Sequence, residues 1–109
     1  MSILSDENRY QLLKLLEENP ELSQRQIAAA LGVSLGKVNF CLRALIDVGS
    51  VKAGNFSRNS NKKAYVYLLT PKGIEEKARV TLRFLAKKQA EYEALKQEIN
   101  ELKSEAKTL

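Results

Sequence analysis

The sequence contains no histidine and a single cysteine, Cys41, among 109 residues. Without an imidazole, the commonest general base and metal ligand is missing. A lone thiol excludes an internal disulfide and a thiolate cluster for structural zinc. Long apolar runs are lacking too: no window approaches the roughly 18 residues that a membrane helix requires. The opening MSILSDENRY has no basic stretch leading into an apolar one. These absences predict an unprocessed, cytoplasmic protein with no membrane segment, cofactor or metal. No nucleophile–base set or glycine-rich phosphate loop occurs either, so no enzyme is expected.

Negative charge is missing over one stretch. The whole chain carries +5, but residues 1–50 hold five Lys/Arg against six Asp/Glu, and residues 72–109 hold nine against seven. Between Asp47 and Glu75 there is no acid, while Lys52, Arg58, Lys62 and Lys63 fall inside the gap. Such a segment suits a polyanion, because phosphate contacts release condensed counterions. A solvated loop that happens to be basic is the plainer alternative.

Prolines are confined to Pro20 and Pro71, and each borders a predicted helix. Ser5 caps the first, with Asp6 and Glu7 in its opening turn and Tyr10, Leu12, Leu13 and Leu16 facing a core; Asn19-Pro20 stops it. Ser23 and Gln26 form a capping box for a short second helix that carries Ile27, Ala28 and Leu31 and ends at Gly32. Ser34 caps a third that runs to Asp47 or Val48, with Val38, Cys41, Leu42 and Leu45 as its buried stripe. Two helices joined by a tight glycine turn form a helix-turn-helix. After Gly49 the period changes to that of strands, 51–56 and 64–69, separated by the polar turn 57–63. Thr70-Pro71 then opens a last helix reaching toward Leu109. The fold class is therefore mainly α with a small β-hairpin: a winged helix-turn-helix domain, residues 1–71, followed by a long coiled-coil helix, residues 72–109.

A third helix lying in the major groove would present Leu35, Gly36, Lys37, Asn39, Phe40 and Arg43 to double-stranded DNA. Lys37 suits guanine O6 and N7, Asn39 suits adenine, and Phe40 suits a thymine methyl. Equally, Lys37 serves a phosphate contact, Asn39 a solvated spacer, and Phe40 a place beneath the wing. Ser34 and Gly36 bring backbone N–H groups to the helix start, although capping accounts for Ser34. Gln24, Arg25 and Arg43 are expected to clamp the backbone. In the wing, Arg58, Lys62 and Lys63 would track phosphates, with Asn59 and Asn61 available for minor-groove acceptors. Cys41, on the buried stripe, reads as a small apolar core residue rather than a redox sensor.

In the last helix Ala78, Leu85, Tyr92, Ile99 and Ala106 fall at heptad position a, and Ile74, Thr81, Lys88, Leu95, Leu102 and Leu109 at d. Leu85, Tyr92, Leu95, Ile99 and Leu102 form the expected homodimer seam. A parallel partner would set Glu91 against Lys96 and Glu98 against Lys103 across the seam, whereas an antiparallel one would oppose like charges. A solvated or intramolecularly docked helix is the competing reading.

The stretches LLKLLEENPELSQRQIAAALGVSLGKVNFCLRALIDVGSVKAGNF, AYVYLLTPKGIEEKARVTLRFL and EYEALKQEINELK together resemble the MarR-type winged-helix regulators, most closely the short EPS-associated subgroup linked to bacterial exopolysaccharide gene clusters. The first of these stretches alone would fit many winged helices, whereas the junction Leu69-Thr70-Pro71-Lys72-Gly73 followed by one long helix is more specific. The resemblance implies sequence-specific DNA binding and transcriptional control, with residues 34–43 and 57–63 at the DNA. Two departures qualify it. Only four residues precede the first helix cap, so a dimer would rest on the C-terminal helix, which puts a small-molecule effector pocket in doubt. Ser57-Arg58-Asn59 also stands where the family commonly has Asp-X-Arg. The alternative from another class is a protein-interaction adapter whose coiled-coil tail recruits a partner; unlike a DNA-binding protein, it would elute early from heparin.

Overall fold

In the computed structural model, residues 5–59 and 62–109 are described, and the side chains of 55–59 and 62–65 are left aside. Helix α1 spans Asp6–Glu18, α2 Gln24–Leu31, α3 Leu35–Asp47 and α4 Pro71–Ala106; strands β1, Val51–Asn59, and β2, Lys62–Leu69, form an antiparallel pair.

Each helix starts where a hydroxyl meets an orphan N–H three residues on. Ser5 accepts from the Asn8 N–H at 3.1 Å, Ser34 from Lys37 at 3.1 Å and Thr70 from Gly73 at 3.1 Å. Ser23 accepts from the Gln26 N–H at 3.1 Å, and the Ser23 N–H donates back to Gln26 Oε1 at 2.8 Å. Gly32 closes α2 with φ +68°, and Gly49 follows α3 with φ +81°, left-handed geometry that favours glycine at both turns. Helices α2 and α3 meet at 109°, within the range of a helix-turn-helix pair. No single helix among the described residues is long and apolar enough to cross a membrane.

Leu12, Leu16, Ile27, Ala28, Leu31, Val38, Cys41, Leu42, Val51 and Tyr67 close one core under α1–α3 and the base of the hairpin. The predicted stripes lie there, except that Leu13 is fully buried outside this cluster, Leu45 is only partly buried and Tyr10 turns to Phe84, ring centroids 5.3 Å apart. The strands run further than their apolar residues: register continues from Val51↔Leu69 to Ser57↔Lys63 and, past an irregularity, to Asn59↔Lys62. Much of the segment expected to be turn is therefore ladder. Backbone pairing needs no apolar side chain, so a hairpin outlasts the hydrophobic pattern that reveals it.

The first turns of α4 lie along α1. Val80 is fully buried on that face, between the Arg9–Glu76 (3.2 Å), Lys77–Glu17 (2.8 Å) and Arg83–Asp6 (3.5 Å) ion pairs. Beyond Phe84 every residue is exposed, and the helix projects from the body to make a molecule of 72 × 26 × 23 Å. It ends at Ala106, three residues short of the expected limit. Thr81, at a seam position, donates its hydroxyl to the Lys77 carbonyl at 2.7 Å, which satisfies it within the helix.

Gly73 fixes where α4 begins to pack. A Cβ there would overlap the buried Ser50 carbonyl oxygen. Alanine ordinarily favours a helix by about 1 kcal/mol over glycine, but here the clash reverses the sign. Gly73→Ala is expected to cost about 2 kcal/mol and to lower Tm by about 10 °C, measured by thermal denaturation.

Candidate nucleic-acid interface

Because Val38, Cys41, Leu42 and Leu45 turn α3 inward, its opposite side follows from the 3.6-residue repeat. Gly36, Phe40, Arg43 and Asp47 fall along the centre of that outer side, with Asn39 beside them and Leu35 on the flank, and all six are exposed. Phe40 is 61% exposed and lies outside the core. Space is open around the position of a Gly36 Cβ, so the backbone at the start of α3 can be approached closely. Lys37 is half-buried, on the flank between the core stripe and the outer midline. The residue that the sequence favoured for a base contact thus reaches from the flank, and Phe40 and Arg43 occupy the middle. Ser34 is occupied as the cap, as the capping alternative had it.

Asp47 completes the outer line one turn beyond Arg43, where charge counting by segment gave no hint of its orientation. A carboxylate there repels phosphate, which confines the favourable surface to the first three turns of α3.

At the start of α2 the two expected backbone clamps part company. Arg25 is exposed, but Gln24 is half-buried and its Nε2 donates to the Tyr67 hydroxyl at 3.0 Å. Tyr67 is 5% exposed, and its own N–H donates to the Pro20 carbonyl at 3.1 Å. Gln24 thereby ties helix α2 to the base of the wing. Nothing in the sequence marks that contact, which joins residues 43 positions apart.

The wing tip carries Arg58, Asn59, Lys62 and Lys63 on paired strands, with Arg58 at the irregularity between Ser57 and Asn59. Their side chains, and Asn61 altogether, lie outside the described residues. The backbone ladder places all four at the free end of the hairpin, away from Val51 and Leu69 at its root.

Cys41 is buried at 7% exposure, and burial raises its thiol pKa above the ordinary 9.0, opposed by the charges of Lys37 and Arg9. The neutral thiol suits a core position. Among the described residues no group of three or more His, Cys, Asp or Glu could hold a metal ion.

A family model described as winged helix-turn-helix DNA-binding matches residues 5–52. No curated protein sequence matches the chain. Among solved structures it is similar to the transcriptional regulator homologue of Pyrococcus horikoshii OT3, at 22% identity over 75% of this chain and 80% of that one, with a TM-score of 0.58. The MepR–DNA complex of Staphylococcus aureus matches at 22% identity over 93% of this chain and 78% of that one, TM-score 0.64. MarR of Staphylococcus aureus, in complex with salicylate and kanamycin, matches at 22% over 75% of this chain, TM-score 0.54. The chain spans only 53% of that last protein's length. At these identities the likeness is one of fold. The chain has a winged helix-turn-helix fold extended by a long C-terminal helix, and its structural neighbours include MarR-family transcriptional regulators.

Proposed function

We propose that the protein is a sequence-specific, DNA-binding transcriptional regulator of MarR type, acting as a homodimer and not as an enzyme. The observation that carries this is the exposed line Gly36–Phe40–Arg43 on the second helix of a helix-turn-helix, beside a hairpin inside a stretch free of acid from residue 48 to 74. The first turns of α3 enter the major groove, where Phe40 and Asn39 meet base edges and Lys37 reaches in from the side. Arg25 and Arg43 hold phosphates, and the wing, through Arg58, Lys62 and Lys63, follows the backbone into the minor groove. Residues 1–71 bind DNA and residues 72–109 dimerise. Control of exopolysaccharide genes rests on the sequence resemblance alone.

Dimerisation is supported by the tail. Leu85, Tyr92, Leu95, Ile99 and Leu102 are all exposed along one stripe. Tyr92, Leu95, Lys96 and Ile99 rim a hollow on that stripe, at positions a, d, e and the next a. In a parallel two-stranded coiled coil a d-position knob enters a hole of that composition, so Leu95 of a second copy fits it. Two recognition helices related by a two-fold axis then meet half-sites roughly 10 base pairs apart.

Selection of bound duplexes from a random pool tests the reading. Recovered sequences should share an inverted repeat with that spacing. Recovery of no consensus, together with no retention of any duplex in dilute buffer, would overturn it.

A further inference from the structure

The end of the recognition helix and the start of α4 are joined by a set of contacts that the DNA-binding surface does not account for. Helix α3 ends at Asp47 with Val48 as its cap, and the chain turns through Gly49 and Ser50, whose N–H groups donate back to the Ile46 and Leu45 carbonyls at 3.0 and 2.8 Å. The outward carbonyls of the turn are all taken by one short stretch of chain. Lys72 Nζ donates to the Val48 carbonyl at 2.7 Å, the Thr70 hydroxyl donates to Gly49, and the Thr70 N–H donates to Ser50 at 3.1 Å. Gly73 adds the close approach, since no side chain fits between it and Ser50.

Three successive carbonyls gripped by so short a stretch leave little freedom for one helix to pivot on the other. An ammonium at the C-terminal end of α3 also meets the negative pole of its dipole. The same segment begins the helix that, on the reading above, carries the dimer seam. We infer that this first turn of α4 is a rigid joint that transmits the geometry of the dimer to the recognition helices, with Lys72 as a positioning residue for operator recognition. The inference rests on the proposed dimeric DNA-binding function, and it adds a residue to which neither groove nor phosphate contact has been assigned.

Lys72 is the informative position, because Thr70 also caps α4 and Gly73 is needed for packing. Lys72→Met keeps the aliphatic stem and removes the donor, and Lys72→Arg restores a cation. Two measurements on the full chain decide. In the free protein, amide exchange at Val48 and Ser50 should quicken about fivefold in the methionine variant, the scale of one net hydrogen bond, and recover with arginine. Unchanged exchange would show that Lys72 does not hold the turn, and would overturn the inference whatever the protein binds. On DNA, the duplex selected from the random pool is compared with one carrying a single base pair inserted between half-sites. Wild type should separate the two more sharply than Lys72→Met does, with little change in salt slope. If both duplexes instead weaken equally and the slope falls by about 1.8, one phosphate for each protomer, Lys72 is an ordinary phosphate contact and the joint is refuted. Failure of the wild type to bind any duplex would strike the regulatory reading, while the exchange measurement still judges the joint.

Discussion

Replacing Leu95 and Ile99 together by glutamate is expected to leave the protein monomeric and to weaken binding to a two-half-site duplex by about 100-fold or more, as linked binding events become independent. Leu95 and Ile99 are 54% and 42% exposed, on a stretch of helix in which every residue beyond Phe84 is exposed. A single helix of this kind has only its intrinsic propensity and pairs such as Lys88–Glu91, 3.2 Å apart, to hold it. Burying the stripe against a second copy supplies the missing stabilisation, and four carboxylates in the seam would remove it. Neither residue contacts the body, so the DNA-binding domain should melt as before. Sedimentation, helicity and affinity measured on the same variant separate the outcomes: an unaltered mass and unaltered operator affinity would show that the seam is not where the copies meet.

Removing the wing charges acts through a different quantity. For Arg58→Ala/Lys62→Ala/Lys63→Ala, the slope of log affinity against log salt should become shallower by about 0.9 for each phosphate no longer neutralised, hence by about five for a dimer that uses all three on each side. Sequence preference should survive, because phosphate contacts position without discriminating. Phe40→Ala supplies the contrast: the side chain carries no charge, so its removal should shift which bases are selected while leaving the slope unchanged. An unaltered slope in the triple variant would take the wing off the DNA, and binding would then depend on α2 and α3 alone.

The helix starts could be read in the sequence because each depends on a side chain and an N–H three residues apart. Ser5, Ser23, Ser34 and Thr70 are each followed by the helix they cap. The buried stripes could be read for the same reason, since Val38, Cys41 and Leu42 lie within about one turn of one another. The strand ends were less legible. Phe56 and Ala64 bound the apolar parts of the hairpin, yet the ladder continues to Asn59 and Lys62, where only backbone groups specify it.

The site divides along the same line. Exposure of Gly36, Asn39, Phe40 and Arg43 follows from the helical repeat once the core stripe is known. The half-burial of Lys37 does not, because it depends on how neighbouring elements close around its flank. Gln24 reads as a free clamp by its place at a helix start, whereas the Tyr67 hydroxyl, on a strand far along the chain, engages it.

By itself, then, the order of residues determined the elements, their caps, the inward stripes, the acid-free basic stretch and the heptad repeat of the tail. All of these are local, set by neighbours within a turn or a strand pair. Only the folded chain decided that Gln24 braces the wing, that Lys72 and Thr70 grip the end of α3, and that Gly73 must have no side chain. Those contacts join residues more than twenty positions apart, and no period or spacing encodes which distant carbonyl a lysine will meet until the intervening helices have packed.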